Sequence, residues 1–408
     1  MIYDWAPEEI GIKNLKPIIF HDETLRDGLQ SPSAKVLNTQ EACSILLNMD
    51  KVGIASATVG FPASGEKTKK QICSIIEFHK LHNLNIELGL TGRTLKSDIY
   101  SIIEIARDTN TDLRAYLFIG SSPIRQYVEN WDIEAMVAHT RSSVELAVGN
   151  GLQVTYITED TTRSSPEDLS KLYIAAVSSG AGRIVITDTV GIATPDSTKA
   201  IVSYIRTILD SAGFKKVVIE FHGHMDRGLG IWNSIAAYKA GAERIHGTCL
   251  GIGERCGNTP IDLLMINCKL LGLIDSDLSL LPEYIRVLSN ALNLAIPEAY
   301  PVFGYNAFRT GSGIHASAIL KAEELNDSIA NIIYNAVPIN WFNFKQAIDI
   351  SALSGKSNII YNLKKRNIKF SPALVDKILL KAKELETPLS DDDHITAFLN
   401  VNLDDASL

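Results

Sequence analysis

The sequence predicts an α/β chain in which a closed (β/α)8 TIM barrel is followed by a mostly helical C-terminal region. Three observations carry that expectation. Eight short β-rich runs lie between residues 18 and 271, each followed by a segment long enough for a helix. The β-α unit recurs roughly every 30 residues, and about 250 residues for eight units is the arithmetic of a barrel. Several of the runs are apolar throughout, as strands covered on both faces are.

In chain order the runs are Ile18–Leu25, Ser56–Gly60, Ile86–Thr91, Leu113–Gly120, Leu152–Glu159, Arg183–Thr189, Lys216–His224 and Arg244–Gly251. Between them, Thr39–Lys51, Glu66–His82, Ile133–Val148 and Gly230–Ala240 place apolar residues three and four apart, the spacing of one helix face. An open doubly wound sheet shares the β-α alternation and is the competing architecture on pattern alone. After residue 272 the strand signal fades. Leu280–Ala295 and Gly313–Glu324 read as helices, Pro297 to Asn306 as a linker, and Ser371–Glu384 as an amphipathic helix opened by Ser371-Pro372. The expected division is therefore a barrel over 1–271 and helical subdomains over 272–408. The basic run Lys364-Lys365-Arg366 and the acidic run Asp391-Asp392-Asp393 read as solvated surface.

Composition excludes several classes. With 46% hydrophobic and 21% charged residues the chain is neither disordered nor fibrous. Thirty-nine basic residues against 47 acidic ones leave a net charge of −8, so no nucleic acid or anionic membrane surface is expected as a partner. No apolar run approaches the roughly 18 residues of a membrane span, and the first residues lack the pattern of a signal peptide. Five cysteines with no Cys-x-x-Cys pair argue against a disulfide framework, and a reduced, cytoplasmic protein is expected.

In a TIM barrel the reactive groups stand at the C-terminal ends of the strands. His222 and His224 end the seventh run two residues apart, which on a strand points both imidazoles the same way. Asp27 follows the first run, and Asn258 lies in the glycine-rich loop Gly251–Asn258 after the eighth. Closing the barrel makes these strands neighbours, so two imidazoles, a carboxylate and an amide oxygen converge as ligands for a divalent metal such as Mn²⁺, Zn²⁺ or Mg²⁺. Two structural histidines and a turn asparagine are the alternative. Arg26 is a permanent cation placed to polarise a substrate carbonyl, or else a salt-bridge partner. Glu159 and Thr189 end the fifth and sixth runs. Thr189 offers a hydroxyl to a carboxylate, Glu159 offers an acid or base, and a capping role suits either.

The segment His21-Asp22-Glu23-Thr24-Leu25-Arg26-Asp27-Gly28-Leu29-Gln30-Ser31-Pro32 resembles the opening signature of the DRE-TIM metallolyase superfamily. Phe221-His222-Gly223-His224 and Gly251–Asn258 resemble its two later signatures, and Ile157–Ser164 and Asp188–Gly191 extend the likeness over the whole barrel. In the tail, Gly311-Ser312-Gly313-Ile314-His315-Ala316 and Ser354-Gly355-Lys356-Ser357-Asn358 are similar to the α-isopropylmalate/homocitrate synthase family. The resemblance implies a Claisen-type condensation of acetyl-CoA with a 2-oxo acid, 2-oxoisovalerate being the favoured acceptor, followed by thioester hydrolysis to a 2-alkylmalate and CoA. Homocitrate synthase, citramalate synthase and a hydroxymethylglutaryl-CoA lyase-like enzyme are the alternatives. It further implies Asp27, His222, His224 and Asn258 as metal ligands, Arg26 at the developing alkoxide, Thr189 and Gln30 on the substrate, and Glu159 among the catalytic groups. His315 and a tyrosine, matched to Tyr334, are implied to assist from the partner subunit of a homodimer.

Three features depart from the pattern. Met225 follows the second histidine where many members carry Asn. Cys256 stands near the place of a lyase cysteine, in a loop patterned like that of the synthases. The long synthases carry a leucine-binding regulatory domain, and none is expected within these 408 residues.

Overall fold

Eight strands pair in parallel and in chain order: β1 (Ile19–Asp22), β2 (Ser56–Thr58), β3 (Glu87–Arg93), β4 (Arg114–Gly120), β5 (Gln153–Glu159), β6 (Arg183–Asp188), β7 (Val218–Gly223) and β8 (Arg244–Gly247). β8 pairs back onto β1, with Ile19 opposite Arg244 and Asp22 opposite Gly247, so the sheet closes and the open-sheet alternative falls away. This computed structural model describes residues 16–404. The chain divides into two units, Met1–Leu294 and Ala295–Leu408.

The helices of the first unit are α1 (Thr39–Lys51), α2 (Glu66–Leu81), α3 (Lys96–Thr109), α4 (Pro123–Glu129), α5 (Ile133–Gly149), α6 (Pro166–Ser178), α7 (Pro195–Ser211), α8 (Gly230–Lys239), α9 (Ile261–Leu270) and α10 (Leu281–Leu292). Local chemistry sets their starts. Asn38 accepts from the Glu41 amide while the Glu41 carboxylate takes the Asn38 amide, a reciprocal cap that satisfies two orphan donors. Pro166 and Pro195 open α6 and α7 behind Ser165 and Thr194 caps. The inward faces bury Leu46, Met49, Ile76, Ile102, Val202 and Ile205 completely or nearly so.

Several strands end earlier than their apolar runs. β1 stops at Asp22, whose Oδ1 accepts from the Thr24 amide at 2.7 Å and turns the chain. β8 stops at Gly247 because Cys249–Gly251 folds into a 3₁₀ turn, and β7 stops at Gly223, with His224 making an isolated antiparallel bridge to Asn258. A hydrophobic run reports burial, whereas a strand also needs a ladder partner, and these residues have left the ladder.

The barrel floor is polar, which the sequence reading did not anticipate. Arg114, Arg183 and Arg244 are the first residues of β4, β6 and β8, and alternate strands supply one layer of a barrel interior. Glu87 accepts from Arg114 at 2.7 Å and from Arg183 at 2.8 and 2.9 Å. Burial would raise the Glu87 pKa, but the two guanidiniums outweigh it and bring it down to about 2.

Helix α10 joins the barrel rather than the tail. The Tyr284 hydroxyl donates to Asp22 Oδ2 at 2.7 Å, and both side chains are fully buried. The division therefore follows Leu294, not residue 271, because packing decides it rather than strand content. Burial raises the Asp22 pKa to about 6 against its hydrogen bonds from Thr24 and Tyr284. A carboxyl whose folded-state pKa lies above its unfolded value favours the fold below the unfolded pKa, near 4, and that contribution is lost as pH rises through about 6. The melting temperature of wild type minus that of Asp22→Asn is thus expected to fall by a few degrees, roughly 2–4 °C, between pH 4.5 and pH 7 in thermal scans. A flat difference would refute the shift.

The second unit is mostly helical, with α11 (Gly313–Leu325), α12 (Asp327–Ala330), α13 (Lys356–Lys365), α14 (Pro372–Ala382) and α15 (Asp392–Asp404). It also holds a two-stranded parallel sheet, β9 (Arg309–Thr310) and β10 (Ala347–Ile348). Ile350, Ile359, Leu363, Val375, Ile378, Ile395 and Leu399 form its core. The basic and acidic runs are not merely solvated: Arg366 and Lys365 reach Asp392 at 2.9 and 3.1 Å and tie α13 to the start of α15.

Candidate active site

The end of β7, which carries His222, and the loops leaving β1, β7 and β8 bring the expected ligands together. His222 Nε2 lies 3.4 Å from Asp27 Oδ2, His224 Nε2 lies 3.8 Å from the same oxygen, and the two imidazole nitrogens are 3.3 Å apart. All three residues are buried, and their ligand atoms fall within 4.8 Å of one another. Among the described residues, no hydrogen-bond donor reaches Asp27 Oδ1 or Asn258 Oδ1, although both are buried. Electron-rich oxygens buried without donors beside two imidazoles are the donor set a divalent cation satisfies, so these residues fit a metal.

The β8 loop folds over this cluster because glycine permits it. A Cβ on Gly253, at φ +153°, would lie 2.1 Å from Asn258 Nδ2 and 3.2 Å from Asp27 Oδ1, and one on Gly257 would run into the Gly251 carbonyl. Asn258 is held by donating from Nδ2 to the Ile252 carbonyl at 3.1 Å. Met225 is turned elsewhere, with its sulfur against Gly230, and Cys256 is exposed.

Charge is balanced within the cluster. Burial would raise the Asp27 pKa, but Arg26 and the two imidazoles hold its carboxyl well below the usual range. Burial lowers His224 to about 4, with His222 adding to the effect, so its imidazole is neutral near pH 7. Arg26 donates from Nη1 to Asp27 Oδ2 at 3.1 Å and from Nε to Glu23 Oε2 at 2.8 Å. It is a salt-bridge partner and a lining residue at once.

Above the triad lies a cavity of about 290 Å³ lined by Arg26, Asp27, Gln30, Glu159, Thr189, His222 and His224. Glu159 is raised in pKa by burial against the opposing pull of Arg125, whose Nε lies 3.3 Å away. The Thr189 hydroxyl accepts from the Asp160 amide at 2.8 Å and has its proton on a loose 3.3 Å contact with Thr187, free to be redirected to a carboxylate. Phe61, Phe118, Ile157 and Val185 form an apolar wall that the sequence reading missed. Ile157 and Phe118 sit two residues before the strand ends Glu159 and Gly120, and period-two alternation from those ends was the available signal. Arg255, also missed, pairs with Asp226 at 2.8 Å and holds the Thr189 carbonyl.

In the second unit His315 and Tyr334 stack with ring centroids 4.0 Å apart, and both are exposed. The two tail motifs support them together. Gly313 packs against the Gly355 backbone too closely for any Cβ, and Asn358 donates to the Gly311 carbonyl at 3.1 Å.

The HMGL-like family model matches residues 17–287. The chain belongs to this family. Beyond the barrel, the HMGL-like chain is 29% identical over 378 residues to the 2-isopropylmalate synthase of Methanocaldococcus jannaschii, covering 90% of this chain and 68% of that one. It is 30% identical over 376 residues to the homocitrate synthase AksA of the same organism, covering 91% and 87%. The HMG-CoA lyase of Brucella melitensis shares the fold, with TM-score 0.56 at 16% identity over 69% of this chain and all of that one. This HMGL-like protein is an enzyme whose near-full-length similarity is to synthases, at identities that do not choose between two acceptors. No helix among the described residues is long and apolar enough to cross a membrane.

Proposed function

We propose that this protein is an acyltransferase of the 2-isopropylmalate synthase type, condensing acetyl-CoA with 2-oxoisovalerate and hydrolysing the thioester to a 2-alkylmalate and CoA. The observation that carries the reading is the buried triad Asp27, His222 and His224 beneath the Arg26 guanidinium, opening onto a cavity with one apolar wall. Asp27, His222 and His224, with Asn258 completing the set, would hold a divalent cation, which would supply electrophilic polarisation of the ketone.

The chain's own groups do the rest. Thr189 and Gln30 take the acceptor's carboxylate end, and the Arg26 guanidinium faces the ketone oxygen as it becomes an alkoxide. Loss of a methyl proton from acetyl-CoA makes the carbon nucleophile, which bonds to the ketone carbon. The alkoxide then takes up a proton, and water cleaves the thioester to release CoA. Glu159, with its raised pKa, and the His315–Tyr334 pair are the groups for these proton movements. His315 and Tyr334 act on this barrel from the partner subunit of a homodimer.

The apolar wall supports a branched aliphatic acceptor. A distal carboxylate, as in 2-oxoglutarate, would meet Phe61, Phe118, Ile157 and Val185, while the cavity's arginines are already paired with Glu23, Asp27 and Asp226. Homocitrate synthase is the second reading, favoured by the AksA similarity. Following CoA release with a thiol reagent across 2-oxoisovalerate, pyruvate, 2-oxoglutarate and oxaloacetate tests both. We expect 2-oxoisovalerate to be preferred by at least about 10-fold in kcat/KM, since a methylene or two is worth roughly 1–3 kcal/mol. A preference for 2-oxoglutarate would establish the second reading, and silence with metal bound would remove the acyltransferase.

A further inference from the structure

Below the metal-ligand triad, the barrel interior holds a second buried group, His21, Glu23 and His246, whose ligand-type atoms lie as close together as those of the first. Hydrogen-bond direction decides what it is. Arg244 Nη1 can only donate, so Ser56 Oγ accepts from it. The ionised Glu23 can only accept, so His21 Nε2, 3.2 Å from its Oε1 and 3.0 Å from Thr58 Oγ1, carries the ring's proton, and Nδ1 is left to accept from Ser56 Oγ at 2.7 Å. Burial lowers the His21 pKa to about 4, so the ring carries that single proton. Thr58 donates to the same Glu23 oxygen at 3.2 Å. On the far side His246 donates to Glu220 at 2.8 Å and stands 3.6 Å from Glu23. A metal would need the lone pair of His21 Nε2, and the relay has already placed a proton there.

What the relay leaves is one carboxylate oxygen. Glu23 Oε1 is taken up by His21 and Thr58, and Oε2 receives Arg26 Nε at 2.8 Å. Arg26 Nη1 is in turn on Asp27. We propose that Glu23 is a positioning residue for the condensation: it ends a directed relay, Arg244 to Ser56 to His21 to Glu23, that fixes the guanidinium plane of Arg26 so that one edge holds Asp27 and the other faces the cavity. A planar, five-donor group on a flexible stem needs such a clamp, because its stabilisation of new charge depends on orientation set in advance. The kinetic part of this inference rests on the acyltransferase reading, and the spectroscopic part does not.

The test compares full-length Glu23→Ala and Glu23→Gln with Arg26→Gln and the double variant Glu23→Ala/Arg26→Gln. Glu23→Ala is expected to lower kcat about 10²-fold, with KM for 2-oxoisovalerate within roughly twofold and metal content unchanged, because alkoxide charge exists only in the transition state. Glu23→Gln keeps an acceptor for Arg26 Nε and should recover roughly 10-fold of that loss. The double variant should be no slower than Arg26→Gln alone within about threefold, since a residue acting through Arg26 has nothing left to act on. Independently of turnover, the Arg26 Nε–H signal in ¹⁵N-arginine-labelled protein, assigned by its loss in Arg26→Gln, should be protected from exchange in wild type and Glu23→Gln and unprotected in Glu23→Ala. Multiplicative losses in the double variant overturn the proposal. So does an Nε–H unmoved by Glu23→Ala, and that signal decides alone if wild type converts no 2-oxo acid.

Discussion

Replacing His224 with alanine is expected to remove bound metal and turnover together. Its Nε2 is 3.8 Å from Asp27 Oδ2 and 3.3 Å from His222 Nε2, so it offers one of three buried atoms that could hold a metal ion. The fold should survive, because among the described residues the polar contacts of the ring are with His222 and Asp27, members of this same cluster, and Nδ1 makes no hydrogen bond there. Electrophilic polarisation is worth several kcal/mol, so turnover should fall by at least about 10³-fold. Metal analysis by mass spectrometry alongside CoA release checks it. Metal retained at wild-type level would take His224 out of the ligand set.

Alanine at His315 is expected to do the opposite to the metal and nearly the same to the rate. His315 belongs to the second unit, outside the buried triad, so metal content should stay at the wild-type level. Loss of a proton-transfer group costs roughly 10²–10⁴-fold in kcat. Because Tyr334 stacks on the His315 ring at 4.0 Å, Tyr334→Phe keeps the stack, loses only the hydroxyl, and should be the milder variant. Mixing the His224→Ala and His315→Ala proteins under exchange conditions tests the homodimer directly. Activity returns in hybrid dimers only if His315 serves the partner's barrel, and mixed protein as inactive as its components would assign His315 to its own chain or to no role.

The two sites differ in how openly the sequence carried them. His222 and His224 are readable because a strand's two-residue period makes His-x-His a statement about geometry, and Asp27 because closure puts the first strand beside the eighth, next to the seventh. Glu23 was not readable. Its partners His21, Thr58, His246 and Arg26 come from three strands and a loop, and nothing in the local pattern around residue 23 distinguishes a buried hub from a surface carboxylate. The polar floor was hidden for the same reason: an arginine opening a strand reads as a solvated end until Glu87 is found beneath it. The same holds for Lys365 and Arg366, which read as surface until Asp392 is seen against them.

Periodicity and motif spacing by themselves determined the eight β-α units and the candidate ligand set, because each depends on interactions a few residues apart, while the pairing of β8 with β1 decided a closed barrel over an open sheet. Tertiary structure alone decided where the barrel unit ends, what lines the apolar wall of the cavity and which way the buried protons point. Those depend on contacts between residues distant in the chain, such as Tyr284 with Asp22 or Arg244 with Ser56, where burial turns an ordinary side chain into an obligatory partner.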